Sequence, residues 1–228
     1  MHRNDFLDLT RDGYDRTARA YAERFDDYLD DKPVDRAMVD AFAGLVLLGA
    51  NKDVVDVGCG TGVTTVMLNG CGVRAFGIDL SANMIGEARR LRPGLEFRVG
   101  SMTDLDIGDA SVGGVCAWYS IIHIPDDHLA GVLGEFHRVL APGGLILLAF
   151  QVGDEPLVLT DAFGESVHLT YRRRQPRMVE EYLVRAGFRL RAELVRQPAD
   201  GEFESTPQAF LIAQKIVNAA QEVGGPGQ

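Results

Sequence analysis

The stretch VVDVGCGTG, residues 54–62, constrains this chain more than any other. The run VVDV reads as a buried strand. Gly58, Gly60 and Gly62 then let the backbone turn sharply and approach a ligand with no side chain in the way. A helix beginning near Thr61 would present free N–H groups toward that loop. A dinucleotide pyrophosphate loop wants GxGxxG, but Val63 stands where its last glycine would be. The spacing is instead GxGxG, with an acid, Asp56, two residues before Gly58. It implies a compact ligand that brings no diphosphate to a helix N-terminus.

A second element, VRAFGIDLS, ends its strand on Asp79. A carboxylate there can accept hydrogen bonds from both hydroxyls of an adenosyl ribose, while the helix-cap role falls to Ser81. Loop and acid alone also fit NAD enzymes. Strand signals recur near 54–57, 73–78, 95–99, 112–118 and 145–150, with helical periodicity near 61–69, 82–91 and 127–140. This alternation predicts an α/β fold: a single Rossmann-like doubly wound sheet, mainly parallel with an antiparallel late strand, and helices on both faces.

Upstream, residues 12–30 and the stretch from Pro33 show helical spacing and predict an N-terminal helical cap over 1–50. Residues 51–217 form the core, within which 151–175 lacks clear periodicity and reads as a substrate cap. A helix near 176–186 ends at Gly187. Phe188–Arg196 and Gln208–Gln214 then predict an antiparallel hairpin at the edge of the sheet. Residues 218–228 read as a flexible tail.

The formal net charge of −10 argues against a nucleic-acid partner. No run of eighteen apolar residues exists to span a membrane, and the polar N-terminus lacks a signal-peptide core. The expectation is a cytoplasmic protein, monomer or homodimer. Three cysteines without CxxC spacing argue against zinc and disulfides. Cys71 and Cys116 read as structural, and Cys59 flanks the glycine loop.

VVDVGCGTG, GIDLS, the VGSMTDL segment and LAPGGLILLAF, in that order, resemble class I S-adenosylmethionine-dependent methyltransferases of the small-molecule type. The resemblance covers roughly residues 14–150. It implies S-adenosyl-L-methionine as cofactor and S-adenosyl-L-homocysteine as product. It also implies that Asp56 meets the amino group of the methionine moiety, with Gly58, Cys59 and Gly60 beside methionine and ribose. Asp79 would hold the ribose, Leu80 would pack on the adenine, and Met84 would close its pocket. Ser101 stands where many relatives carry an acid for the adenine amino group, so that contact is weakened; the Met102 N–H would serve the ring. The Ala117 carbonyl would meet the methionine ammonium. Tyr14 and Tyr21 match a helix that closes over the cofactor.

Methyl transfer is an in-line displacement in which alignment does most of the work, and a base matters only for a protonated nucleophile. His123, in AWYSIIHIPDD after the fourth strand, is the candidate base, at the end of an open sheet where ligands bind. Trp118 and Tyr119 are candidate substrate walls. In the 151–175 segment His168, Tyr171 and Arg172 are candidate substrate contacts, with Arg172–Arg174 suited to an acidic acceptor. The reading is a methyltransferase acting on oxygen or nitrogen of a small-molecule acceptor. Its alternatives are an NAD-dependent oxidoreductase and a catalytically silent S-adenosylmethionine-binding protein.

Overall fold

A computed structural model describes residues 5–198 and 204–217. Helices α1 (Asp5–Phe25) and α2 (Pro33–Leu47) precede a run of alternating elements. These are β1 (Asp53–Val57), α3 (Val63–Gly70), β2 (Arg74–Asp79), α4 (Ala82–Leu91), β3 (Phe97–Val99) and β4 (Val112–Trp118). A 3₁₀ turn (Ile121–His123), α5 (Asp126–Val139) and β5 (Leu140–Gln151) follow. The chain continues through β6 (Leu157–Ala162), β7 (Glu165–Tyr171), α6 (Pro176–Arg185), β8 (Phe188–Arg196) and β9 (Gln208–Lys215).

Seven strands form one sheet in the order β3-β2-β1-β4-β5-β9-β8. β1 to β5 pair in parallel, and β9 runs antiparallel to both β5 and β8. The alternation in the sequence therefore translates into the expected doubly wound sheet. Successive strand residues point to opposite faces, and both faces are covered. Val55, Val115, Ile146 and Leu148 pack with α5 and α6 through Leu133, Phe136 and Leu183. Val54, Cys116, Leu147 and Ile212 pack with α2 and α3 through Phe42, Val46 and Leu68. That double burial is why β4 is buried at every residue and shows no polar alternation.

The antiparallel hairpin of β8 and β9 expected late in the chain forms one end of the sheet. β9, buried from Gln208 to Ala213, inserts next to β5, and the alternating strand β8 takes the edge. The segment expected to be aperiodic is a second sheet, the antiparallel hairpin β6–β7, turning at Phe163 and Gly164 with φ of 56° and 79°. The tail at 218–228 lies outside the described residues.

α1 lies against α4 and β7. The contact with β7 is so close that a Cβ on Gly13 would stand 2.6 Å from Leu169 Cδ2. Helix and hairpin thus meet above the C-terminal ends of the parallel strands. The strand order reverses there, between β1 and β4, and open α/β sheets bind ligands at that point. Among the described residues, no helix is long and apolar enough to cross a membrane.

Candidate functional site

A cavity of about 1040 Å³ opens at this switch point. Its size is at the upper end for ligand pockets, enough for two reactants side by side.

The floor is the loop after β1. Gly58 donates to Ile78 O at 2.7 Å, which ties the loop to β2. It adopts φ +74°, and a Cβ there would fall 2.3 Å from that of Ser120, so the position requires glycine. Asp79, at the end of β2, accepts from Gly60 N and Ser81 N, each at 2.8 Å. Burial raises its pKa, and the N–H groups of Ser81 and Gly60 oppose that rise. A carboxylate offers about four acceptor sites, so two remain for the paired hydroxyls of a ribose. Gly60, Leu80, Met84, Ser101 and Met102 complete this end. The Ser101 hydroxyl already pairs with Thr103 Oγ1 at 2.7 Å.

Asp56 lies beneath the loop, fully buried. Thr65 Oγ1 donates to its Oδ2 at 2.7 Å, while Oδ1 is buried with no hydrogen-bond partner. Burial raises its pKa to about 7, against the Thr65 hydrogen bond. Asp56 itself lies outside the residues that line the cavity. The open glycine backbone and the two unused sites on Asp79 fit S-adenosylmethionine.

The roof comes from α1 and the β6–β7 hairpin. Tyr21 and Phe25 stack with ring centroids 4.7 Å apart, and Phe163 of the hairpin turn meets both edge-on. The back wall is built from the ends of β4 and β5: Trp118, Tyr119, Ser120, Ile122, His123 and Gln151. The turn carrying His123 is fixed by Arg174, which is 2% exposed. Its guanidinium bonds Asp126 Oδ1 at 2.9 Å, Ile121 O at 3.0 Å, and Ile124 O. His123 is buried, its Nε2 2.8 Å from the Tyr14 hydroxyl and its Nδ1 3.1 Å from Thr170 O. Burial lowers its pKa to about 4, so the ring is neutral at pH 7. At the margin, Arg196 pairs with Asp35 at 2.6 Å and Glu204 at 2.6 Å, and Lys32 with Glu204 at 3.0 Å.

The cavity thus gathers most residues singled out in the sequence, from Tyr14 and Tyr21 through Asp79 and Met84 to Trp118, Tyr119, His123 and Tyr171. Others lie elsewhere. The Cys59 sulfur packs against Gly77 and Phe97, behind the loop. Ala117 is fully buried within β4, one residue short of the wall. His168 is exposed on β7, because strand alternation turns Leu169 and Tyr171 inward and sends His168 out. Arg172 uses its N–H to bond Ile122 O, Arg173 reaches Ser205, and Arg174 is a buried strut. None of the three arginines lines the cavity. Sequence reasoning missed the apolar roof residues Phe6, Leu157, Leu159, Phe163 and Leu169, and also Gln151 of the wall. The signal for the hairpin was present in ESVHLTY, which alternates apolar and polar residues after a glycine turn.

Fold and loop together resemble those of class I S-adenosylmethionine-dependent methyltransferases. Comparison with known proteins agrees. Residues 54–144 match the family model described as a methyltransferase domain. The O-methyltransferase cnsE of Penicillium expansum is 36% identical over 112 residues, covering 46% of this chain and 40% of that protein. Demethylmenaquinone methyltransferase of Chlorobaculum tepidum is 33% identical over 119 residues, covering 52% and 46%. The chain spans less than half the length of these curated relatives. The fold match extends further: 1,6-didemethyltoxoflavin-N1-methyltransferase of Burkholderia thailandensis, solved with 1,6-didemethyltoxoflavin and S-adenosylhomocysteine, superposes with a TM-score of 0.71 at 19% identity. That superposition covers 95% of this chain and 92% of the other.

Proposed function

We propose that this chain transfers a methyl group from S-adenosylmethionine to an oxygen or nitrogen of a small molecule, by in-line displacement. The observation that carries the reading is continuity: one cavity runs from Gly58, Gly60 and Asp79 to Tyr14, His123 and Tyr171. When bound, the cofactor supplies an activated methyl on a sulfonium. The chain supplies the rest. Asp79 holds the ribose, Asp56 faces the methionine ammonium from below the loop, and Leu80, Met84 and Met102 enclose the adenine. Trp118 and Tyr119 wall the far end. The helix α1 and the hairpin β6–β7 act as a cap that excludes water and fixes the acceptor in line. Such alignment is worth up to about 7–11 kcal/mol.

Calorimetric titration tests this reading. S-adenosylhomocysteine should bind in the micromolar range or tighter, on the order of 8 kcal/mol, and NAD should give no heat. NAD binding without S-adenosylhomocysteine binding would replace the reading with an oxidoreductase.

A further inference from the structure

Both ring nitrogens of His123 are committed. Nδ1 faces the Thr170 carbonyl at 3.1 Å, and a carbonyl can only accept, so Nδ1 carries the hydrogen. Nε2 is then a bare acceptor, and the Tyr14 hydroxyl 2.8 Å away donates to it. The base nominated from the sequence therefore offers the cavity no free lone pair. Tyr14 does: its hydroxyl gives its hydrogen to His123 and takes one from Tyr171, which leaves one acceptor site, and Tyr14 lines the cavity. Tyr21 meets the Tyr14 ring edge-on at 6.1 Å, and Tyr171 packs on the His123 ring at 5.1 Å, so the pair is held in register.

The surroundings select what can meet this pair. Phe6, Leu157, Leu159, Leu169 and Ile122 make the neighbouring wall apolar. Of the cations on the lining, Lys32 pairs with the half-buried Glu204, Arg11 pairs with Asp8, and Arg24 lies over the Phe25 ring. Exposed acids, Asp27, Asp31 and Asp161, stand at its margin and repel an anion. Carrying an unpaired charge past this wall is costly.

Resting on the methyltransferase reading, we infer that the acceptor is an uncharged aromatic hydroxyl compound and that Tyr14 is the catalytic residue that takes its proton, with His123 as the positioning residue behind it. A lone pair on the acceptor oxygen forms the bond to the methyl carbon, and the carbon–sulfur pair stays on sulfur. The forming bond makes the acceptor's hydroxyl proton strongly acidic, and Tyr14 Oη takes it while passing its own proton to His123 Nε2. His123 becomes imidazolium, with Nδ1–H still on Thr170 O. One positive charge thus moves from sulfur to imidazole, and no further reactant is needed.

The test uses the full chain saturated with S-adenosylhomocysteine and titrated with 1-naphthol, 1-naphthoate and 1-naphthylmethylammonium at pH 7. The naphthol should bind about tenfold or more tightly than either ion. Tyr14→Phe should weaken naphthol binding about fivefold, one hydrogen bond's worth, and leave S-adenosylhomocysteine affinity near that of the parent. Nitrogen NMR should show His123 as the Nδ1–H tautomer, with an Nε2 shift that moves in Tyr14→Phe; a role in packing alone would not move it. Tighter binding of either ion, naphthol binding indifferent to Tyr14→Phe, or an Nε2–H tautomer would overturn the inference. If S-adenosylhomocysteine itself fails to bind, the methyltransferase reading falls first, so the two failures are distinguishable.

Discussion

Replacing Asp79 with asparagine should separate the two jobs this carboxylate does. It pins the loop by accepting from Gly60 and Ser81, each at 2.8 Å, and it has sites left for two ribose hydroxyls. The asparagine oxygen can keep one backbone contact, but the amide nitrogen cannot accept the other. A hydrogen bond to a charged group contributes about 1.5–3 kcal/mol, so losing two ribose contacts costs about 3 kcal/mol at the low end. That is roughly a hundredfold in S-adenosylhomocysteine affinity. The loop should pay less, about 1–2 kcal/mol for one N–H left poorly satisfied, or a melting drop of about 2–8 °C at this chain length. Calorimetry with S-adenosylhomocysteine and its 2′-deoxy analogue isolates the ribose contribution. The parent should prefer the hydroxylated ligand by about 1.5 kcal/mol or more, and Asp79→Asn should erase most of that preference, as expected when the deleted partners are in contact. Should Asp79→Asn weaken both ligands equally and keep the preference, the carboxylate only braces the loop and the ribose assignment is wrong.

Two further outcomes concern the back wall. Arg174→Met leaves the carbonyls of Ile121 and Ile124 without their buried donor and should cost about 3–5 kcal/mol of stability in urea titration. Arg174→Lys should rescue little of it, because one ammonium cannot span three acceptors as the guanidinium does; a loss under about 1 kcal/mol would show that the strut is dispensable. His123 supplies the pH dependence. Its pKa falls from 6.5 to about 4 on folding, so the unfolded chain binds the extra proton between those values and stability falls as the solution is acidified. At 1.36 kcal/mol per pH unit the full loss is about 3 kcal/mol. Asp56, raised to about 7 by burial, works with the opposite sign over much of this window. The measurement is therefore the difference between the parent and His123→Gln at pH 7 and at pH 4. A stability gap that does not change with pH would mean that the imidazole is not buried neutral.

The floor of the site was legible from sequence because its constraints are local. Gly58 must adopt a positive φ against Ser120, Asp79 must end a strand within reach of Gly60, and both demands leave fixed residue types at fixed spacings. The parallel strands were legible for a related reason: burial on both faces produces unbroken apolar runs such as VCAW and LILLAF. The order of β8 and β9 within the hairpin was not. Which strand of a late pair lies inside depends on competition for the exposed edge of β5, and only the more continuous apolar run AFLIA in β9 hinted at the winner.

The roof was least legible, and the reason is physical. A two-stranded hairpin such as β6–β7 buries little on its own and exposes most of its outer face, so its short alternation in ESVHLTY does not reveal what covers it. What holds the hairpin is the close approach of α1 at Gly13 and the ring contacts of Phe163, pairings across about 150 residues that no local pattern encodes. The same distance explains the reassignment of His123. Its sequence neighbourhood marks a residue at the mouth of a crevice, but its chemistry is set by Tyr14 from α1 and Thr170 from β7, elements that meet it only in the fold. With both nitrogens engaged, the proton transfer proposed above runs through the Tyr14 hydroxyl, which the helix that closes the cavity contributes.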